Sequence, residues 1–378
     1  MAPLTQSITS LAMKSNHHPA VSIIMPVYNA EKFLHDSVGS ILLQTCQDFE
    51  LICFNDASTD GSLRLLKEFA APSIHPSIHP SIHPSIHPSI HPSIHAYPHE
   101  RVRVIDSPVN IKQGGGRNRA LAEARGEYVM FVDADDALRS DAVAVCLETA
   151  RRENADMVVF DYARFSSSPA NIGEEICQLG KDASGLRGED LRRRILDRST
   201  PVWSAMYRKE LITDNGLFFP EKVFYEDNAV ALAMQLSAKT PVKINEALYL
   251  YRFDNSSVTR STNNYHFFGR LASAVTLMDH LKRLGLYERY REKLDFIFIN
   301  QYFTHSIFGC IYRFDRVPML RHNYIRKTIS RHLPDYRSNP YFKAQPLRMK
   351  LKIFTHVRFP RLIKLMSNVS RRLRRAGS

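Results

Sequence analysis

Paired cysteines are missing from this chain. Its five cysteines, Cys46, Cys53, Cys146, Cys177 and Cys310, are scattered, and no two form a Cys-x-x-Cys unit. Zinc sites of that type and a disulfide framework are not expected, and a reducing cytoplasm suits the chain best. Long apolar runs are missing too. No stretch reaches about 18 uninterrupted apolar residues, so no spanning helix is expected. Residues 1–20 hold no apolar run of the kind a signal peptide carries. The fingerprint Gly-x-Gly-x-x-Gly is absent, which argues against a nicotinamide enzyme. Acidic residues are absent from the last 38 positions, which hold eleven Lys or Arg. That leaves two of the thirteen net positive charges for residues 1–340. Charge gathered in one tail argues against a nucleic-acid-binding body and for one basic docking segment.

What the chain does have is an alternation of apolar strands and amphipathic helices. Val21 to Asn29 reads as a buried strand ending in a turn. Glu31 to Thr45 then puts Leu34, Val38, Ile41 and Leu42 on one helical face. Phe49 to Asn55 is a second strand, which stops at Asp56-Ala-Ser-Thr-Asp-Gly61, and a helix follows through Phe69. Val102 to Ile105 is a third strand. Gly114-Gly-Gly116 leads into a helix from Arg117 to Ala124, followed by strands at Tyr128 to Val132 and Asp156 to Phe160. This order predicts an α/β fold, a mostly parallel sheet with helices on both faces and ligands at the carboxyl ends of the strands. After about residue 166 helical patterns dominate, with short strands at Val242 to Ile244 and Ala247 to Tyr251. From Tyr265 to Leu333 the chain is helical and aromatic, and the stripe Phe267, Phe268, Leu271, Val275 reads as core.

Residues 72–95 are six tandem copies of Pro-Ser-Ile-His. Proline at every fourth position excludes a helix, and one isolated Ile per copy cannot build a core. The repeat reads as an extended or polyproline-like loop insertion, dispensable for chemistry, that binds transition metals adventitiously at most.

The chemistry is densest at Tyr128-Val-Met-Phe-Val-Asp133-Ala-Asp135-Asp136, where an apolar strand runs into three carboxylates. Close carboxylates repel unless a cation or proton lies between them. Mg²⁺ binds through one or two carboxylates plus substrate phosphates, so Asp-x-Asp at a strand end fits a metal–diphosphate site. The alternative is a strand end whose Asp residues cap the next helix.

In order, the motifs are Pro26-Val-Tyr28-Asn29, Asn55-Asp56-Ala-Ser-Thr-Asp-Gly61, Asn110 with Gln113-Gly-Gly-Gly-Arg117-Asn118, Asp133-Ala-Asp-Asp136, and Tyr225-Glu226-Asp227. The series resembles the inverting family 2 glycosyltransferases with the Rossmann-like GT-A fold, from about Val21 to Thr259. The resemblance implies a UDP-sugar donor held by Pro26, Tyr28, Asp56, Arg117 and Asp133. It implies Mn²⁺ or Mg²⁺ on Asp133 and Asp135, with Asp135 the direct ligand. Asp227 is implied as the base that deprotonates the acceptor, with Glu226 and Trp203 as acceptor contacts. For Tyr28 the alternative is loop packing, and for Asp227 an ordinary helix start. Ser58, Thr59 and Asp60 already supply capping groups, which makes Asp56 surplus to structure. Two departures stand out. Lys112 occupies a position where the family usually has Gly, and Ala205 one where Lys is common. Tyr251-Arg252 with Ser256-Ser-Val-Thr259 is similar to an element that closes the family's donor pocket.

Expected organisation follows. Residues 1–20 form a lead, 21–260 the GT-A domain with the 72–95 insertion, 261–340 a mainly helical extension, and 341–378 a basic amphipathic tail. In the tail, Leu362, Leu365, Met366, Val369 and Leu373 share one helical face after Pro360, flanked by Arg361, Lys364 and further arginines. This suits an anionic membrane surface, with a solvated tail or docking on a partner protein as alternatives. The acceptor implied is a bacterial surface glycan (lipooligosaccharide, O-antigen or capsule), lipid-linked or free. Such an enzyme is expected in the cytoplasm, peripheral on the inner face of the inner membrane. Rival readings are another nucleotide-sugar or nucleotidyl enzyme, which would need a triphosphate loop that Val21 to Ala30 lacks, and a non-catalytic membrane-associated protein.

Overall fold

All seven residues of β1 (Val21–Val27) are buried, as a central parallel strand requires. In this computed structural model, residues 18–71, 101–253 and 262–376 are described, with side chains to residue 370. The lead to residue 17, the Pro-Ser-Ile-His repeat, residues 256–259 and Leu373 lie outside the described residues or side chains.

Chain order runs β1, α1 (Leu34–Leu42), β2 (Phe49–Asp56), α2 (Ser62–Ala70), β3 (Val102–Ser107), α3 (Lys112–Ala122) and β4 (Tyr128–Phe131). The strands lie in the order β3-β2-β1-β4, all parallel. Alternation along β1 sends Ile23, Met25 and Val27 to one core, with Leu34 and Ile41 of α1 and Leu66 of α2. Ile24 faces the other core, with Ala120 and Leu121 of α3. Each such side chain, fully buried, contributes about 1.5–3 kcal/mol. Pro26 lies past the last β1–β4 pair, Ile24 with Phe131, where a missing N–H is tolerated.

Beyond β4 the sheet is mixed. It adds β5 (Ala137–Leu138), β6 (Met157–Phe165), β7 (Glu175–Ile176), β8 (Ala205–Arg208) and β9 (Pro241–Arg252), with α4 (Ala142–Glu153) between β5 and β6. The four-residue β8 runs antiparallel to both β4 and β6. β9 is one strand where two are expected. Its register against β6 jumps between Val159–Lys243 and Asp161–Ala247, so a bulge interrupts the apolar pattern at Asn245-Glu246.

The C-terminal region is helical, as expected. Gly269–Arg283, Arg291–Ile297, His305–Tyr312 and Met319–His332 extend the α3-side core, and a π-helical stretch, Phe298–Thr304, joins two of them. Helices Leu347–Arg358 and Pro360–Ala376 pack on His305–Tyr312.

Candidate active site

Two loops at the carboxyl ends of β1 and β2 are tied into one unit. The Asn29 N–H donates to Ser58 Oγ (3.1 Å) and Thr59 N–H to Asn29 Oδ1 (2.8 Å). Ala30 N–H donates to Ser62 Oγ (2.9 Å) and Gly61 N–H to Glu31 Oε2 (2.9 Å). Tyr28 protrudes from this unit, 50% exposed, whereas Pro26 is buried inside β1. Asp56 is buried and is not surplus to structure. Its Oδ1 accepts from Ile111 N–H at 2.6 Å, fixing the entry to α3, while its backbone carbonyl accepts from Asn110 Nδ2 at 3.0 Å. Lys112, next along, has φ +67°, in the left-handed region that glycine favours. Holding a lysine there costs about 1–2 kcal/mol. Its ammonium lies 5.2 Å from the Phe224 ring centroid and 6.0 Å from that of Tyr28.

The acidic loop after β4 is held by residues from β9. Tyr249 donates to Asp136 Oδ2 (2.7 Å) and accepts from Asp133 N–H (3.1 Å). Arg252 N–H donates to Asp136 Oδ1 (2.8 Å), and its guanidinium reaches the Asp135 carbonyl and Asp36, each at 2.7 Å. Asp136 is therefore a structural anchor. Trp203 stacks on Tyr249 (4.3 Å) and Tyr251 (5.8 Å), so its half-buried ring backs the strand that holds the loop. Tyr249 is absent from the sequence expectations. Its signal was the alternation Tyr249-x-Tyr251, two aromatics on one strand face.

Asp135 is exposed to solvent after the end of β4. Crowding by the protein and the charge of Asp133 push its carboxyl up to about 6. No other side chain hydrogen-bonds to it among the described residues. Two mutually repelling carboxylates, one with open coordination, fit a divalent cation shared with phosphate oxygens. No cluster of three or more His, Cys, Asp or Glu that could hold a metal occurs among the described residues.

Helix α3 anchors the segment that bears Asp227. Asn118 exchanges two hydrogen bonds with the Phe219 backbone, at 2.7 and 2.9 Å. A Cβ on Gly114 would lie 2.5 Å from the Pro220 carbonyl oxygen, so only glycine permits this approach. The three glycines are buried and pack against protein. Arg117 is buried, and its guanidinium bridges Asp133 Oδ1 (2.7 Å) and Glu226 Oε1 (2.5 Å). It joins the two acidic motifs, and Glu226 lies 109 residues along the chain from Arg117. Asp227 follows Tyr225, whose φ of +64° is a strained conformation costing about 1–3 kcal/mol. Burial raises the Asp227 carboxyl, and the Arg117 charge pulls it back down.

The glycosyl transferase family 2 model matches residues 22–83 and 89–213. EpsH of Bacillus subtilis, named as a proposed glycosyltransferase, is 27% identical over 283 residues, 73% of each protein. The poly(ribitol-phosphate) beta-glucosyltransferase of Bacillus spizizenii is 24% identical over 307 residues, 76% of this chain and 40% of that protein. A fragment of S. aureus TarS, solved with UDP-GlcNAc, is similar in fold, with a TM-score of 0.52 at 17% identity, covering 89% of this chain and 81% of that one. The sheet order, the acidic strand ends and these matches agree: the chain belongs to glycosyltransferase family 2 and has the GT-A type of fold.

Proposed function

We propose that this chain is a metal-dependent, inverting glycosyltransferase. It moves a sugar from a UDP-sugar to a saccharide acceptor of a bacterial surface glycan (lipooligosaccharide, O-antigen or capsule). The observation that carries the reading is the Arg117 bridge, which joins the acidic loop after β4 to the Asp227 segment. One side then handles a charged leaving group and the other a proton. Asp56 accepts from the ring N–H of a pyrimidine, and Tyr28 lies against the base. Mn²⁺ or Mg²⁺ on Asp133 and Asp135 would neutralise the departing diphosphate. Asp227 takes the acceptor's hydroxyl proton as that oxygen bonds to the anomeric carbon and the bond to UDP breaks. Glu226 and Trp203 stand on the acceptor side. The basic tail docks on the anionic inner leaflet, peripheral to the membrane, where a lipid-linked acceptor would reside.

Calorimetric titration with UDP, with and without Mn²⁺, tests this on the wild type and Asp135→Asn. Binding that needs Mn²⁺ and weakens at least tenfold in the variant is expected. No UDP binding in either condition would overturn the UDP-sugar reading.

A further inference from the structure

We propose that the C-terminal helical region holds a headgroup pocket for one anionic phospholipid, built from Arg337, Lys343 and Lys350. The proposal rests on the membrane-docking reading and adds to it a defined site and a chemical class of lipid.

Three elements meet at the pocket. Asn339 caps the short helix Pro340–Lys343, its Oδ1 accepting from Phe342 N–H at 3.1 Å. Its Nδ2 donates to the Glu292 carbonyl at 2.8 Å, which ties this helix to the fold. In the preceding 3₁₀ turn, Tyr336–Ser338, the Tyr336 ring packs edge-on against Phe342 (5.3 Å) and lies 5.6 Å from Phe303 of the π-helical stretch. Across from them runs Leu347–Arg358, which sets Lys350, Ile353 and Phe354 on one face. Lys350 Nζ donates to the Lys343 carbonyl at 2.9 Å and joins the two helices. The cavity enclosed has a volume of about 340 Å³. Sites for small molecules measure about 300–1,000 Å³.

The lining divides into an apolar floor and a cationic rim. Phe342 and Ile353 are buried and form the floor. Arg337 and Lys343 are exposed and Lys350 is half-buried, each from a different element. None of the three forms an ion pair among the described residues. Lys350 meets a carbonyl, and Arg337 Nε meets the Tyr336 hydroxyl at 3.4 Å. The acid nearest in sequence, Asp335, pairs with none of them, and residues 341–378 hold no acid at all. The rim therefore has donors to spare and no counter-charge from the protein. Phosphate oxygens suit both guanidinium and ammonium donors. The mouth says which phosphate. Phe354 forms a wall of the pocket and is itself exposed, and on the same helix Leu351 and Leu347 are exposed beside it. A free phosphate ion has no use for that apolar path. A phospholipid uses both parts, with its phosphate on the rim and its acyl chains leaving over Phe354 and Leu351. An anionic headgroup adds no cation of its own to the crowded rim, which a choline headgroup would.

The test is calorimetry on the full-length protein with dioctanoyl phosphatidylglycerol below its micelle concentration. The wild type is expected to bind one lipid per chain, tenfold or more tightly than dioctanoyl phosphatidylcholine and than glycerol 1-phosphate. The double variant Arg337→Gln, Lys343→Gln is expected to weaken that binding at least tenfold. The control Arg348→Gln, Arg358→Gln removes the same charge from exposed positions outside the pocket and is expected to change it less than threefold. Phe354→Glu keeps the rim and puts a carboxylate at the mouth, and its loss is expected to match the pocket variant. Tm and UDP affinity are expected to stay unchanged in all three. Equal losses in the pocket and control variants, or binding that survives the pocket variant, would overturn the site. Should the pocket variant lower Tm, Phe354→Glu decides, and lipid binding that survives it overturns the site. Glycerol 1-phosphate bound as tightly as the lipid would overturn the lipid assignment, and phosphatidylcholine bound as tightly would overturn the role of the rim. With wild-type binding to anionic vesicles intact, those results count against the pocket alone; a wild type that ignores such vesicles removes the membrane docking and the pocket's role with it.

Discussion

Asp56 commits one carboxylate oxygen to the fold. Oδ1 accepts from Ile111 N–H, and no other hydrogen bond engages the carboxylate among the described residues. The donor reading gives Oδ2 to the ring N–H of uracil. Asp56→Asn can keep the Ile111 bond through its amide oxygen while turning the free acceptor into a donor. UDP affinity is expected to fall about 10–100-fold, with little change in Tm. CDP is expected to gain relative to UDP, because cytosine presents an acceptor where uracil presents a donor. Asp56→Ala differs, since it also strands the buried Ile111 N–H and costs about 1–3 kcal/mol of stability. Calorimetry with UDP and CDP, beside thermal melts, separates the two. Equal losses of UDP and CDP binding in Asp56→Asn would remove the base-reading role. The carboxylate was legible in the sequence as a polar residue ending an apolar strand. Its bond to Ile111, 55 positions away, was not.

At the scale of elements, legibility follows burial pattern. β1, β2 and β4 read as strands because both faces of each are covered and their residues are mostly apolar. β8 escapes notice because Ala-Met-Tyr-Arg is too short to show a period. β9 reads as two strands because a bulge breaks its pattern. The Arg117 bridge joins a helix, a strand end and a short turn, and no local pattern encodes that. On the proposed reading, the bridge makes α3 a mechanical link between donor and acceptor sides. Removing it leaves two carboxylates without their cation, at a cost of about 3–5 kcal/mol. It also has a signature in pH. Burial already lifts Asp227, and Arg117 opposes that lift. As a base, Asp227 works above its pKa and fails as pH falls through it. Arg117→Met removes the opposing charge, so the acidic limb of kcat/KM is expected to move to higher pH. Arg117→Lys keeps the charge, so its limb should stay in place even if kcat drops. A limb unmoved by Arg117→Met would separate Arg117 from the base.

At the scale of the whole molecule, the unusual feature is an apolar surface on a strongly basic end. Leu347, Leu351 and Phe354 are exposed on Leu347–Arg358, spaced along one helical face. Leu362, Leu365, Met366 and Val369 are exposed on Pro360–Ala376, again on one face. Phe354 and Phe359, with ring centroids 6.5 Å apart, link the two stripes. Lys364 differs from the tail expectation, being buried against the fold rather than free for an anionic surface. Among the described residues no helix is long and apolar enough to cross a membrane. Two amphipathic helices with exposed Arg348, Lys352, Arg358 and Arg361 instead suit lying in an anionic interface. Each cation near such a surface contributes about 1 kcal/mol, and salt screens it. Co-sedimentation with vesicles tests the reading. Vesicles with 30% phosphatidylglycerol should bind the protein, pure phosphatidylcholine should not, and 0.5 M NaCl should release much of it. The double variant Leu365→Glu, Met366→Glu puts two charges on the apolar face and should abolish binding without changing UDP affinity. Binding equal on neutral and anionic vesicles, or untouched by the double variant, would assign this face to a protein partner instead.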